Sequence, residues 1–387
     1  VNLITRKNYE GAQLGVQYGQ FEPGDGSNTS IDFTLGAAGE RTSGVISVSY
    51  TEQNEVFAGD RKISSVPFWG SYLYGNAPSD CAYFYQNAYI NPNRSTSAPG
   101  GVSPQPLGNT AFCGSGSNPN GLLTLTRNQA IAAGMPDPGD LTVISTGVTT
   151  ANPGWQYTLN RNANLADGLQ ASDFTKYDST YLYNFAPINY LYQPSERYNI
   201  FAAGRVELTD NISAYTRLTY SKRTSSQQLA EVPLTISNAG NNGPQWAFPL
   251  SGDSLYNPFA AGLVSATNPN GDVNAFNYRM SALGPRRTNE DINAFAIDVG
   301  LEGSFELGER YFAWDLAYQY NDRSGSTVGE NYVNLFNLKN ALGASGYQST
   351  GNGGTGEFFC GASYATRIQG CVPFFITGGP TLGLGAN

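Results

Sequence analysis

The 387-residue sequence has no histidine and only two methionines. Histidine is the commonest general base in enzymes and a usual ligand of structural zinc, so its absence removes a side chain on which many catalytic and metal sites depend. The sequence also has no G-x-S-x-G segment, no P-loop and no paired-cysteine metal motif. We therefore predict that the protein is not an enzyme and carries neither a metal nor a cofactor.

Long apolar runs and excess positive charge are missing as well. No stretch of about 18 apolar residues is present, which excludes a transmembrane helix, so a membrane-bound form would have to be a β-barrel. No signal peptide opens the chain, and because Val1 is not a natural start we expect a region upstream of it. The formal net charge of -9 argues against a nucleic-acid partner.

Glycine and aromatic residues are abundant instead. The chain has 46 Gly, 25 Tyr and 20 Phe, and only 13% of its residues are charged, so its polarity comes mainly from Asn, Ser, Thr, Gln and Gly. β-Branched and aromatic residues dominate the patterned segments, whereas strong helix formers are sparse. This composition predicts an all-β fold.

Seven segments alternate apolar and polar residues with a period of two, which is typical of β-strands with one apolar face. The apolar series begin at Ala12, Ile31, Ile46, Tyr198, Ile212, Phe295 and Phe312. The opposite faces carry the charged residues Asp32, Arg205, Glu207, Arg217, Asp298, Glu302 and Asp315. Phe201 interrupts the fourth series, which is the least regular.

The connections between these segments alternate between short turns and long loops, except that the first, at about residues 21–28, is also short. The long ones cover about residues 54–196, 229–290 and 324–387, whereas turns near 36–43, 209–211 and 306–310 are short. This arrangement is typical of outer-membrane antiparallel barrels, and such long loops are unusual in a compact soluble domain. A soluble sandwich would show the same alternation along its strands, so the connections favour the barrel.

The dimensions of the apolar series also fit a membrane. A series of about ten residues, tilted near 45°, spans roughly 24 Å of hydrocarbon. Aromatic residues end the series at both interfaces, as in the girdles of such barrels: Tyr18, Tyr50, Tyr198, Tyr220 and Tyr320 at the loop side, Phe305 and Phe312 at the turn side. Seven strands cannot close a barrel of even strand number, so we expect further strands beyond this chain.

The four cysteines fall into two pairs that are close in sequence, Cys81 with Cys113 and Cys360 with Cys371. Four cysteines permit three connectivities, but each close pair lies inside one predicted loop. We therefore predict the disulfides 81–113 and 360–371, formed in an oxidising compartment.

The amino terminus, V-N-L-I-T-R-K at residues 1–7, resembles the closing plug strand of TonB-dependent outer-membrane receptors. Three later stretches are similar to the large-loop branch of that family: S-L-Y-N-P-F at 254–259, L-G-P-R-R at 283–287 and C-V-P-F at 371–374. The resemblance implies that residues 1–10 end a plug and that residues 11–387 form the amino-terminal part of a plugged barrel of about 22 strands.

The same resemblance implies an active transporter in the outer membrane of a Gram-negative bacterium. Its partners would be TonB with the inner-membrane energising complex, outer-membrane lipid and lipopolysaccharide, and a scarce nutrient such as a glycan, peptide or metal chelate. A passive porin or a plugless surface-binding barrel is the alternative, and a soluble secreted β-sandwich that binds glycans is a third hypothesis.

Candidate substrate-binding residues are the aromatic side chains of the first long loop and two arginines: Trp69, Tyr72, Tyr74, Tyr85, Trp155, Tyr157, Arg286 and Arg287. The structural alternative for the rings is a core that holds the loop together, and for the arginines it is a salt bridge at the rim. Acidic stretches at 136–140 and 268–272 offer oxygen ligands for Ca²⁺, but without the spacing of a calcium loop they favour plain turns.

Overall fold

The computed structural model describes residues 9–62, 64–65, 118–135, 155–160, 162–163, 168–177, 181, 183–237, 248–350 and 355–375. In this part of the chain most regular structure is β-strand in antiparallel sheets, so the predicted all-β class is confirmed. None of the helices in the described ranges has the length and apolarity needed to cross a membrane.

The described strands and helices have the following bounds. The strands are β1 (Gly11–Gly19), β2 (Asn28–Ala38), β3 (Thr42–Gln53), β4 (Val56–Phe57), β5 (Leu122–Leu125), β6 (Trp155–Leu159), β7 (Phe174–Lys176), β8 (Tyr190–Tyr192), β9 (Ser195–Thr209), β10 (Ile212–Leu229), β11 (Pro233–Ser237), β12 (Ala275–Arg279), β13 (Arg286–Leu307), β14 (Arg310–Glu330), β15 (Ser345–Gln348) and β16 (Glu357–Cys360). The α-helices are α1 (Arg127–Ala132), α2 (Ala260–Leu263) and α3 (Leu335–Ala341).

The chain divides into two compact units, each assembled from three separate stretches. The first, here called the strand unit, comprises Val1–Asp60, Ile188–Leu229 and Arg287–Glu330. The second, here called the loop unit, comprises Arg61–Pro187, Ala230–Arg286 and Asn331–Asn387. The stretches of the loop unit follow the predicted long loops, which therefore contain strands and helices of their own.

The strand unit is built on a seven-stranded sheet in the order β1-β2-β3-β9-β10-β13-β14. All seven segments with period-two alternation are strands of this one sheet. Within the described residues no pairing joins β1 to β14, so the sheet is open. A short pair, β4 with β8, also lies in this unit.

The last two long strands extend past the limits expected from alternation. β13 has 22 residues and β14 has 21, and their pairing continues through Glu290 with Thr327 to Arg287 with Glu330. These ends are polar on both faces, so no apolar series marks them in the sequence. Backbone pairing extends the strands there, and Asn289 of β13 also donates to Glu330 Oε1 of β14 at 3.0 Å.

The loop unit has a five-stranded sheet in the order β11-β12-β5-β6-β7. Its strands come from two different connections of the chain, since β5 to β7 precede β9 whereas β11 and β12 follow β10. Leu234, Phe276 and Leu342 are completely or almost completely buried in its core. Burying one such side chain contributes about 1.5–3 kcal/mol, which explains how these connections hold a defined structure.

Candidate functional site

The apolar residues of the strand unit form one continuous face. Pairing aligns Leu14 with Phe33, Phe33 with Val48, Val48 with Ile200, and Ile200 with Tyr220, so the apolar series meet in rows across neighbouring strands. This face is exposed in the strand unit, with Leu14, Leu316 and Tyr318 accessible at 67%, 66% and 67%. So large an apolar surface on a folded protein marks a contact with a membrane or a partner.

Aromatic rings pair at both ends of this face. At the end that leads into the long connections, the rings of Tyr50 and Tyr198 lie 4.8 Å apart between centroids. At the short-turn end, the rings of Phe305 and Phe312 stack at 5.3 Å. Two aromatic zones therefore bound the apolar face along the strand direction.

The opposite face is polar, and its side chains hydrogen-bond across strands. Thr34 and Ser47 share a 2.9 Å hydrogen bond. Asn199 donates to Ser49 at 3.1 Å and accepts from Ser221 at 2.8 Å, so one row of side chains is linked through three strands. The hydroxyls and amides are therefore satisfied by one another as well as by solvent.

Charged side chains on this polar face form ion pairs that join β9 and β10 to β13. Arg205 pairs with Glu302 and also donates to the Ser213 hydroxyl at 3.0 Å. Further along, Arg217 lies 4.0 Å from Asp298. A third pair, Lys222 with Asp291 at 3.5 Å, lies on the other face, because Lys222 has the strand parity of Tyr220 and Asp291 that of Phe295. On the polar face the described residues thus form two ion pairs, with the bases on β9 and β10 and both acids on β13.

A hollow of about 480 Å³ is lined by these two ion pairs, by further residues of β3, β9, β10 and β14, and by Tyr9. Tyr215 reaches across β13 into it and donates from its hydroxyl to Asp315 Oδ2 at 2.9 Å. The sequence reasoning did not single out Tyr215, although its position in the alternation of β10 assigns it to the polar face. Phe201, the exception in the fourth series, also lines the hollow.

The loop unit contains a buried charged cluster that the sequence reasoning did not find. Arg279, only 3% exposed, donates to the Glu231 carbonyl at 2.8 Å. Its guanidinium lies 5.1 Å from the centre of the Tyr183 ring, and Tyr183 donates to Glu231 Oε2 at 2.8 Å. Burial and the bond to Glu231 raise the pKa of Tyr183, whereas burial lowers the pKa of Arg279.

Cys360 and Cys371 form a disulfide that joins the end of β16 to the segment that follows the hairpin of β15 and β16. The S-L-Y-N-P-F stretch supports this hairpin, because Leu255 donates its amide to Ser345 Oγ at 2.9 Å. In the same stretch Asn257 donates to two backbone carbonyls, those of Ser251 and Gly271, at 3.1 Å each. The stretches 283–287 and 371–374 also make structural contacts: Asn331 donates to the Pro285 carbonyl at 2.7 Å, and the Phe374 amide donates to the Ala341 carbonyl at 2.9 Å.

Several predicted site residues lie outside the described part of the chain. These are residues 1–7 and 136–140, the candidate ligand-binding residues Trp69, Tyr72, Tyr74 and Tyr85, the side chain of Trp155, and the pair Cys81 and Cys113. Their roles stay predictions.

The remaining predicted site residues have structural contacts. Tyr157 is 1% exposed and packs in the core of the loop unit, which fits the alternative that its ring holds the loop together. Arg286 donates from Nε to the Ala230 carbonyl at 2.7 Å, and Arg287 donates from Nε to Gln228 Oε1 at 2.9 Å. Both acceptors are neutral oxygens of described residues, and the ligand-binding and salt-bridge roles of the two arginines stay predictions.

The acidic stretch 268–272 is a hydrogen-bonded turn. Asn268 donates from Nδ2 to the carbonyl of Asp272 at 2.9 Å, and Asp272 accepts at Oδ1 from the Gly252 amide at 2.8 Å. Among the described residues, no group of three or more His, Cys, Asp or Glu is arranged to hold a metal ion.

Searches of protein-family models, of curated proteins and of solved structures found no match to this chain.

Proposed function

We propose that this chain is part of an outer-membrane TonB-dependent transporter that binds a scarce nutrient at its outer loops and imports it into the periplasm. In this proposal the seven-stranded sheet is one arc of a larger closed barrel. Its apolar face contacts lipid, and its polar face lines the lumen.

The observation that carries the proposal is the exposed apolar face bounded by two aromatic zones. Lipid-facing strands present apolar residues to the hydrocarbon and aromatic rings to both interfaces, with polar residues on the lumen side. Rows such as Leu14, Phe33 and Val48 provide the apolar surface for the hydrocarbon. The pairs Tyr50 with Tyr198 and Phe305 with Phe312 provide the aromatic rings for the two interfaces. The exposed edges of β1 and β14 would be paired in a closed barrel, which removes the open hydrogen-bonding groups of an edge strand.

A soluble β-sandwich is less consistent with these observations. In a sandwich a second sheet covers the apolar face, and its residues interdigitate into a core. The packed core of the described residues lies in the loop unit instead, while side chains such as Leu316 stay exposed in the strand unit.

Energy coupling rests on the resemblance of residues 1–7 to a closing plug strand, and this distinguishes the proposal from a passive porin. The described residues of the loop unit have a core and a disulfide, so the loops can present a stable binding surface. We expect the nutrient to bind there.

The experiment that tests the proposal has two stages. The source bacterium is fractionated, and the protein is expected in the outer-membrane fraction and resistant to extraction by high salt. Recovery in the aqueous phase would contradict the membrane assignment.

Growth of a deletion strain on limiting peptides, glycans and iron chelates is then compared with that of the parent strain and of a strain lacking TonB. A shared defect on one nutrient is expected for a TonB-dependent transporter. A defect in the deletion strain that the TonB-deficient strain does not share would favour the passive porin.

A further inference from the structure

Two arginines lie directly opposite each other on the polar face, near the ends of β9 and β10 that lead into the long connections. Arg197 of β9 pairs in register with Arg223 of β10 and, on its other side, with Thr51 of β3. The row belongs to the polar face, because two positions further along the same strands Asn199 and Ser221 share a hydrogen bond of that face. Like charges directly opposite each other destabilise a pair of strands.

A third arginine, Arg323 of β14, lies on the same face. It pairs in register with Ala294 of β13, and both residues line a depression of about 300 Å³ together with Ser221 of β10. Ser221 and Arg223 are neighbours on the polar face of β10. Arg197 and Arg323 are exposed, and Arg223 is half-buried. These three arginines are here called the arginine patch.

The arginine patch lacks the acids that accompany the other arginines of this face. Arg205, for example, pairs with Glu302. Among the described residues, no Asp or Glu oxygen lies within 4.0 Å of a guanidinium nitrogen of the patch. Glu290, on the same face of β13, accepts from the Ser225 hydroxyl at 3.4 Å. The patch therefore presents positive charge that no carboxylate of the described residues contacts.

The arginine patch is also distant from the link that, in the proposed function, leads to the plug. Tyr9 packs against Gly36 of β2 at the short-turn end, where an added Cβ would overlap it. Gly36 pairs in register with Val45 of β3. Thr51, the β3 residue in the arginine row, lies about 20 Å further along that strand at roughly 3.3 Å per residue. The patch is thus at the opposite end of the polar face, which in the proposed function opens to the outside of the cell.

We propose that the arginine patch binds a multiply charged anion that carries carboxylate or phosphate groups. The planar fork of a guanidinium donates two parallel hydrogen bonds to such a group. The anion also offsets the repulsion between Arg197 and Arg223, so its binding stabilises the folded sheet. A neutral sugar leaves this repulsion in place, and a cationic peptide adds to it. As the substrate class of a transporter this inference rests on the proposed function, whereas the binding itself does not.

The test uses the intact protein, purified in detergent from its source bacterium, so that all its other segments are present. Titration calorimetry at low salt compares two anions with uncharged counterparts: propane-1,2,3-tricarboxylate with its trimethyl ester, and glucose 6-phosphate with glucose. At least one anion is expected to bind tighter than its counterpart by roughly tenfold or more. The pair with the larger ratio shows whether the patch prefers carboxylate or phosphate. Equal binding within both pairs, or no binding of either anion, would overturn the proposal.

Protein variants assign the contacts. Arg197→Gln, Arg223→Gln and Arg323→Gln should each weaken the bound anion by roughly tenfold, because each removes one charge-assisted contact. Arg41→Gln makes the same change at the short-turn end, where Arg41 pairs with Asp210, and this matched control should bind like wild type. Wild-type affinity in all three patch variants would contradict the assignment.

Thermal unfolding separates loss of the contact from loss of the fold. Removal of one of the two opposed charges relieves their repulsion, so without the anion Arg197→Gln and Arg223→Gln should unfold at a midpoint no lower than that of wild type. Addition of the anion should raise the wild-type midpoint and leave those of the two variants nearly unchanged. An equal rise in wild type and variants would place the bound anion elsewhere and overturn the proposal.

The outcomes separate this inference from the proposed function. Charge-dependent binding at the patch by a protein recovered in the aqueous fraction would support the patch and overturn the transporter. A protein that is in the outer membrane and binds neither anion would overturn the patch alone.

Discussion

Tyr215 on β10 and Asp315 on β14 share a 2.9 Å hydrogen bond across the strand that lies between them. The Tyr215 ring can cross β13 only because Gly300 has no side chain, since a Cβ there would overlap the ring. A glycine thus allows a contact between two strands that are not neighbours in the sheet.

Substitution Gly300→Ala should push the Tyr215 ring away and break its bond to Asp315. We expect a loss of about 1 kcal/mol in the free energy of unfolding, the value of an ordinary hydrogen bond, measured by denaturant titration in detergent. Tyr215→Phe should cost a similar amount, and the double variant should cost no more than either single one. Gly204→Ala is the control, because its Cβ meets its nearest neighbour at an ordinary 3.6 Å. Additive losses in the double variant would show that Gly300 and Tyr215 act independently.

Removal of the buried guanidinium by Arg279→Ala should destabilise the loop unit by about 3–5 kcal/mol, because Glu231 would be left buried without its cationic neighbour. Arg279→Lys keeps the charge but loses the planar group above the Tyr183 ring, so it should not restore full stability. The control is Arg367→Ala, which removes an arginine above the Tyr364 ring in a more exposed setting and should cost at most about 1 kcal/mol. Equal midpoints for the Arg279 and Arg367 variants in fluorescence-monitored unfolding would refute the role of burial.

The thermal stability of the β15–β16 hairpin should depend on pH through the carboxyl group of Glu357. Hydrogen bonds from Tyr364, at 2.7 Å, and from Thr355 lower the pKa of its carboxyl. A lowered folded-state pKa means that the stabilisation is present above the ordinary value of 4.5 and is lost as the pH falls from there through the folded-state pKa. The difference in thermal midpoint between wild type and Glu357→Gln should therefore shrink on acidification below 4.5. A difference that is constant from neutral to acid pH would argue against this assignment.

Loss of the disulfide should open the segment between Cys360 and Cys371. A cross-link over 11 residues stabilises by roughly 2–3 kcal/mol in the chain-entropy model. In the Cys360→Ser, Cys371→Ser double variant we expect faster tryptic cleavage after Arg367, followed by mass spectrometry. Cleavage after Arg223, on the strand unit, provides the internal reference and should not change. Equal cleavage rates at Arg367 with and without the disulfide would contradict this expectation.

If the apolar face contacts lipid, charge should be tolerated on only one side of β14. Leu316→Arg should cost about 2–4 kcal/mol for insertion near the membrane midplane and reduce the amount of protein in the outer membrane. Gln319→Arg places the same side chain on the polar face and should accumulate like wild type. Equal accumulation of the two variants, measured by immunoblot of membrane fractions, would mean that the face does not contact lipid.

The seven long strands could be predicted because a period of two is a local signal. Phe312, Trp314 and Leu316 alternate with polar residues within five positions, which is enough to assign them to one face of a strand. Only the register between neighbouring strands has to come from the structure. The same signal assigned Asp298 and Asp315 to the polar face. It could not extend β13 and β14 to their polar ends, where both faces have similar chemistry.

The contacts of the candidate sites were harder to predict because they join residues that are distant in sequence. Arg279 meets Glu231 across 48 residues, and Tyr215 meets Asp315 across 100. No local pattern marks either contact. Cys360 and Cys371 were predictable because only 11 positions separate them.

The core of the loop unit draws on all three of its stretches, with Tyr157 from the first, Phe276 from the second and Leu342 from the third. Strand β12 pairs with β11 of its own stretch and with β5 of another. Such connections cannot diversify as independent modules, because an insertion or exchange in one changes the surface on which the other two pack. New specificity in this region would have to evolve through exposed side chains, or through replacement of the three stretches together as one inherited block.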